Sequence, residues 1–204
     1  MKFVSRVVIC SIETEEQKKA LFRFRYEIYV EEMHRPQRHA DHERRTIVDN
    51  LDETGINIVG IAKGRIVGAI RNNASSDSSL GEYENFYQMQ DVGIDEHPAK
   101  TSITTRLMIA PEYRRAGLAV RLASSSYLLG LKRRVRWNFI DCNQHLVSFF
   151  QGLGWIEYVP PAVHPEYGLV SRMRLDLTDR GHLEAVRSPF AKLLREFEHN
   201  DPES

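Results

Sequence analysis

Cysteine is scarce in this chain, with two residues, Cys10 and Cys142, among 204. Two thiols so far apart match neither a metal-ligand spacing nor a disulfide framework. They suit a reducing compartment, so a cytoplasmic location is expected. Excess charge of either sign is also missing: 28 Lys and Arg stand against 28 Asp and Glu. A balanced chain has no global field to pull it onto nucleic acid or a membrane surface, and no nucleic-acid partner is expected. No apolar run has the length that spans a bilayer, so no transmembrane segment is expected. The opening MKFVSRVVIC is broken by Arg6 and lacks a small-residue cleavage site, so it reads as a strand rather than a signal peptide. Repeats are absent, and no linker is long enough to divide the chain. That predicts one domain over residues 1–204 with a helical extension over 180–204.

What is present is enough apolar sequence, 42%, to build a core, beside 27% charged residues. Residues 3–12 are rich in Val and Ile and predict a first strand. Residues 14–32 carry Ala20, Leu21, Phe24, Ile28 and Tyr29 at helical spacing, with Thr14 as N-cap and Gln17 three positions on. Residues 33–45 form a polar, His-rich loop. His34, His39 and His42 with Asp41 and Glu43 fit no ligand pattern, so no metal is expected. Strands at 56–62 and 65–71 make a hairpin across Lys63-Gly64. Residues 72–79 read as a Ser/Asn surface loop and 80–92 as a helix. Later come a strand at 135–141, a helix at 143–153, strands at 155–159 and 169–177 around a loop at 160–168, and a helical tail interrupted near Pro189. The order predicts an α/β (α+β) fold, one mixed sheet with helices on both faces.

Between these elements lies the stretch that points to chemistry, TSITTRLMIAPEYRRAGLAVRLA over residues 101–123. An apolar strand ends at Pro111, which has no N–H for a ladder. A short turn follows, then a helix with Leu118, Val120 and Leu122. The first N–H groups of a helix have no partner within it, and the helix dipole is positive there, so a strand–turn–helix corner can hold a phosphate. Gly117 allows close backbone approach, and Arg114 and Arg115 add charge. An ordinary crossover in which Gly117 only makes room for packing has the same pattern.

Arg114-Arg115-Ala116-Gly117-Leu118-Ala119 resembles the Arg/Gln-x-x-Gly-x-Gly/Ala signature of the GNAT superfamily of acyltransferases. Asp141-Cys142-Asn143 followed by residues 145–155, HLVSFFQGLGW, resembles that family's next strand and helix. The resemblance implies the GNAT fold, a twisted, mostly antiparallel sheet of about seven strands. It also implies a donor of acyl-CoA, or of acyl-phosphopantetheine on an acyl carrier protein. Arg114, Arg115, Ala116, Gly117, Leu118 and Ala119 would hold the donor phosphate. Met108 and Ile109 would lie along the pantetheine arm, and Asn143 would bind its amide. Arg25, Tyr26 and Tyr29, then Asp49 and Asp52, then Gly68 and Arg71, with Arg106, resemble a narrower branch: the acyl-homoserine-lactone synthases and the long-chain N-acyl amino acid synthases. Ile103 stands where the lactone synthases carry a catalytic Glu, which favours the amino acid branch.

The implied reaction is attack of a small amine, such as an amino acid, on a thioester, usually a fatty one. Arg25, Tyr29 and Arg106 would bind the acceptor, with Arg71 completing the charged cluster at the reacting groups. Asp49, Asp52 and His145 are the candidate bases. Phe150 occupies the place of the superfamily's acidic Tyr, so the thiolate must leave without a proton donor there. Cys142 has no evident partner to activate it as a nucleophile. A salt-bridge network that only braces the loop, a non-catalytic thioester-binding module and a short-chain N-acetyltransferase are the alternatives. Lys132, Arg133, Arg134 and Arg136 form a basic run that compensates a helix end or docks an acidic carrier protein.

Overall fold

The computed structural model describes residues 6–115 and 117–200; Ala116 and the start of the expected first strand lie outside them. In chain order the elements are β1 (Val8–Ser11), α1 (Glu15–Tyr26), a π-helical turn (Glu27–Glu32), β2 (Ala40–Asp41), β3 (Thr46–Ile47), a 3-10 turn (Asn50–Asp52), β4 (Ile56–Ala62) and β5 (Arg65–Ala74). Then come α2 (Glu82–Phe86), β6 (Thr101–Ile109), α3 (Leu118–Lys132), β7 (Trp137–Asn143), α4 (Val147–Leu153), β8 (Ile156–His164), β9 (Gly168–Asp176), α5 (Arg180–Ala185) and α6 (Pro189–Asn200). Seven strands form one sheet in the order β1-β4-β5-β6-β7-β9-β8, and β2 and β3 form a small ladder of their own. β1–β4, β4–β5, β7–β9 and β8–β9 pair antiparallel. β6 and β7 pair parallel, over Thr101–Ile103 with Trp137–Phe139. This is the mixed sheet flanked by helices that the sequence predicts.

The chain groups into two compact units, one made of the residues up to Asn72 with Arg106–Ser125, the other of Asn73–Thr105 with Ser126 onward. In the first, α1 begins as expected. Thr14 accepts the Gln17 amide at 3.2 Å, and Gln17 Oε1 accepts the Thr14 amide at 3.1 Å, a closed capping box. The helix does not run unbroken to residue 32. At Glu27 it widens to π geometry, where the Met33 amide donates to the Ile28 carbonyl five residues back. Such insertions recur at functional positions. The hairpin turns at Lys63 and Gly64, both in the left-handed region at φ 51° and 73°, which matches the twist of the strands it joins.

Several boundaries differ from expectation. β5 continues through Asn72–Ala74, buried, where a surface loop is expected. Its polar side chains mislead, because local composition does not report burial. The expected helix over 80–92 is broken in two by Gln88 at φ 48°. β8 runs through Pro160 and Pro161, where a loop is expected. Proline lacks a ladder donor, yet an edge strand needs only one side paired, and β8 is the outermost strand of the sheet. The tail follows expectation, with two helices parted near Pro189. Phe190 stacks on Tyr127 at 4.4 Å between centroids, and the Tyr127 hydroxyl donates to the Leu177 carbonyl at 2.6 Å.

Candidate active site

Five charged side chains from separate stretches of the first unit converge on one buried cluster. Arg25, on α1, is fully buried. It grips Asp52 with both terminal nitrogens, at 2.6 and 2.7 Å, and donates to Asn57 Oδ1 at 2.8 Å. Arg71, on β5, donates to Asp49 Oδ1 at 2.5 Å and lies 3.0 Å from Asp52 Oδ1. Arg106, on β6, donates to Asp49 Oδ2 at 2.8 Å and to Gln37 Oε1 at 2.7 Å, and its guanidinium lies 5.3 Å from the Tyr29 ring centroid.

The two aspartates are placed by their own backbone. Asp49 accepts the Leu51 amide at 3.1 Å, and Asp52 accepts the Asp49 amide at 3.0 Å, so the pair caps a single 3-10 turn. That turn holds two like charges three residues apart, which is tolerable only because arginines surround them. Arg106 itself sits at φ 58°, a left-handed conformation inside a strand. Strain of this kind persists where the surroundings over-determine it.

Three arginines against two aspartates give these five side chains a formal charge of +1. Burial opposes the charged forms of both carboxylates, yet the arginines outweigh it. Arg71, by charge and hydrogen bond, and then Arg106 hold Asp49 below the ordinary carboxylate range. Arg25, by hydrogen bond and charge, and then Arg71 hold Asp52 well below it. Burial also lowers Arg25, while Asp52 beside it works in the opposite direction. Both oxygens of Asp52 are engaged twice, so it is a poor proton acceptor.

The expected donor side is also in the first unit. Met108 and Ile109 are buried near the end of β6. Gly117 lies at φ 67°, and a Cβ there would meet no atom within 4 Å. Its glycine is therefore required by backbone conformation and not by crowding within the protein. The Arg121 amide closes onto the Gly117 carbonyl at 3.2 Å. The Leu118 and Ala119 amides before it have no backbone acceptor among the described residues. Arg115 is exposed. Arg114 is held by the Ile109 carbonyl at 3.1 Å and by Glu32 at 2.6 Å. Ala116 lies outside the described residues. A cavity of about 400 Å³ opens between the π-helical turn, the hairpin and residues 110–113, floored by Phe24, Ile28 and Val67.

Asn143 and His145 belong to the second unit. Asn143 is the last residue of β7 and does not cap a helix with its side chain; its Nδ2 donates to the Tyr167 carbonyl at 2.9 Å. His145 is exposed on a 3-10 turn. The Cys142 thiol is buried, which pushes its pKa up to about 12 and leaves it inert as a nucleophile. Phe150 is buried against Trp155 at 5.7 Å. Gln37, Asn57 and Glu32 are partners that the sequence does not point to. Gln37 and Glu32 carried no spacing signal, and Asn57 looked like one polar position in a strand.

Among the described residues no group of three His, Cys, Asp or Glu side chains could hold a metal. No described helix is long and apolar enough to cross a membrane.

A family model described as N-acyl amino acid synthase FeeM matches residues 20–176. No curated protein matches by sequence. Among solved structures, FeeM, an N-acyl amino acid synthase from uncultured soil microbes, aligns at a TM-score of 0.71 and 12% identity, over 93% of this chain and 99% of its own. MesI, a CoA-dependent acyl-homoserine lactone synthase, aligns at 0.65 and 22%, over 89% and 93%. BjaI, another CoA-dependent lactone synthase, solved with SAM and isopentyl-CoA, aligns at 0.66 and 16%, over 90% and 91%. At these identities the likeness is one of fold.

Proposed function

The chain belongs to the FeeM family of N-acyl amino acid synthases, an N-acyltransferase family, and from that premise we propose that it joins a fatty acyl group to the amine of an amino acid. The donor is an acyl-CoA or an acyl carrier protein thioester. CoA dependence of the lactone synthases that share the fold supports the former. The observation that carries the acceptor assignment is the buried cluster with its formal charge of +1. An excess guanidinium fixed by paired carboxylates attracts a carboxylate and holds it bidentately.

Within the cluster, Arg25, Asp52 and Arg71 are the inner members. Arg106 and Asp49 are the least covered, at 5% and 9% side-chain exposure. We assign Arg106, with Tyr29 beneath it, to the acceptor carboxylate. Asp49 and Asp52 hold the arginines in place, and their depressed pKa values suit that role better than proton abstraction. The amine nitrogen attacks the thioester carbon, the nitrogen's proton passes to water, and the thiolate leaves. A thiolate is stable enough near neutral pH to depart without an acid, which agrees with a phenylalanine at position 150. The turn at Gly117 holds the donor phosphate, and Met108 and Ile109 flank its pantetheine arm.

The test is release of free thiol from acyl-CoA and from acyl carrier protein in the presence of mixed amino acids, with the product identified by mass spectrometry. An N-acyl amino acid product is expected. Thiol release that is indifferent to amino acids, or acylation confined to acetyl donors, would discard this reading. Gly117→Val should weaken CoA binding at least tenfold while costing the fold only about 1–2 kcal/mol, because the strain is local to one left-handed residue. Calorimetry that finds equal affinity would dissociate the turn from the donor.

A further inference from the structure

We propose that Glu32 sets the affinity for the donor by competing with its phosphate for Arg114. This inference rests on the reading of the Gly117 turn as the donor site. Arg114 Nη2 meets both carboxylate oxygens of Glu32, at 2.6 and 2.8 Å, while its Nε donates to the Ile109 carbonyl at 3.1 Å. The second contact pins the stem of the guanidinium to the end of β6. The first contact neutralises its charge. An arginine so neutralised adds little attraction for a phosphate until the carboxylate leaves.

Leaving is inexpensive. The pair is half in solvent, 46% exposed on Arg114 and 31% on Glu32, and ion pairs of that kind are weak. Glu32 also has somewhere to go. It lines the cavity of about 400 Å³ that Lys63 and Arg65 line as well. Neither cation has an ion-pair partner among the described residues. A carboxylate displaced from Arg114 therefore moves within a cavity whose two cations, Lys63 and Arg65, stand against the carboxylates of Glu27 and Glu112. Glu32 ends the π-helical turn, a geometry that recurs at functional positions. The pair thus acts as a latch: closed while Arg114 is on Glu32, open when a phosphate takes the carboxylate's place.

Calorimetric titration of the full chain with CoA, and separately with 4′-phosphopantetheine, tests this. Glu32→Gln removes the competing charge but keeps the side-chain length, and it is expected to tighten CoA about two- to fivefold, the range of a weak surface pair. Arg114→Gln should weaken CoA. In the double variant the gain from Glu32→Gln should vanish, which a general effect on folding would not produce. Affinity of Glu32→Gln equal to or below that of the wild type overturns the latch while leaving the donor turn intact. If neither the wild type nor Glu32→Gln binds either probe, the reading of the donor turn fails and the latch falls with it. Binding gained by Glu32→Gln where the wild type shows none supports both.

Discussion

Replacing Arg25 by alanine is expected to cost about 3–5 kcal/mol of stability, a large part of what holds a domain of this size together. The residue has no exposure, and its loss takes the bidentate partner from Asp52, a carboxylate with 4% side-chain exposure that keeps the 3.0 Å contact to Arg71 and the Asp49 amide. It also removes the donors to Asn57 Oδ1 and to the Ile47 carbonyl. Replacing both partners, Arg25→Met with Asp52→Leu, should recover part of the loss, because the two opposite charges leave together and the cluster stays at +1, while Arg71 and the Asp49 amide lose their contacts to Asp52. Urea unfolding followed by circular dichroism measures both variants. A loss below about 1 kcal/mol for Arg25→Ala would mean that the pair is not the brace described here.

The same aspartates fix the direction of the pH response. Asp49 and Asp52 have folded pKa values below their unfolded ones. A group of that kind contributes its full stability above the unfolded value near 4 and loses it as pH falls through the folded value. Stability should therefore be level near neutrality and decline steadily below about pH 5. Asp52→Asn should be less stable at neutral pH and show a shallower acid slope.

The second large effect belongs to Arg106. Arg106→Ala is expected to lower kcat/KM for the amino acid by about 10²–10³, the consequence of truncating one member of a buried charge pair at about 2–5 kcal/mol. It takes the formal charge of the cluster from +1 to zero and leaves Asp49 Oδ2 and Gln37 Oε1 without that donor. Arg106→Lys should recover only part of the activity, since an ammonium has the charge without the planar fork that meets Asp49, Gln37 and the Tyr29 face together. Steady-state kinetics with each substrate varied in turn separate the roles. The loss should fall on the acceptor, with the donor KM unchanged. A loss shared equally by both substrates would remove Arg106 from the acceptor site.

Much of this is legible in the sequence. The capping box at Thr14 and Gln17, the Lys63-Gly64 hairpin and the strand–turn–helix at Gly117 each depend on a few adjacent residues whose conformational preferences are local. The π-helical turn was not legible, because helical spacing of Phe24, Ile28 and Tyr29 looks alike with or without one inserted residue. Nor was the strand through Pro160 and Pro161, since only its place at the sheet edge makes proline acceptable there.

By itself the sequence determined the family, the order of the elements and the residue types available for charge and turn chemistry, because these follow from short-range periodicity and from motifs a few residues long. Only the tertiary structure decided who pairs with whom. Arg25 meets Asp52 across 27 positions, Arg106 meets Asp49 across 57, and Arg114 meets Glu32 across 82. Partner choice at such separations is set by which strands lie side by side and by which charges burial forces to be neutralised, and no local spacing records either.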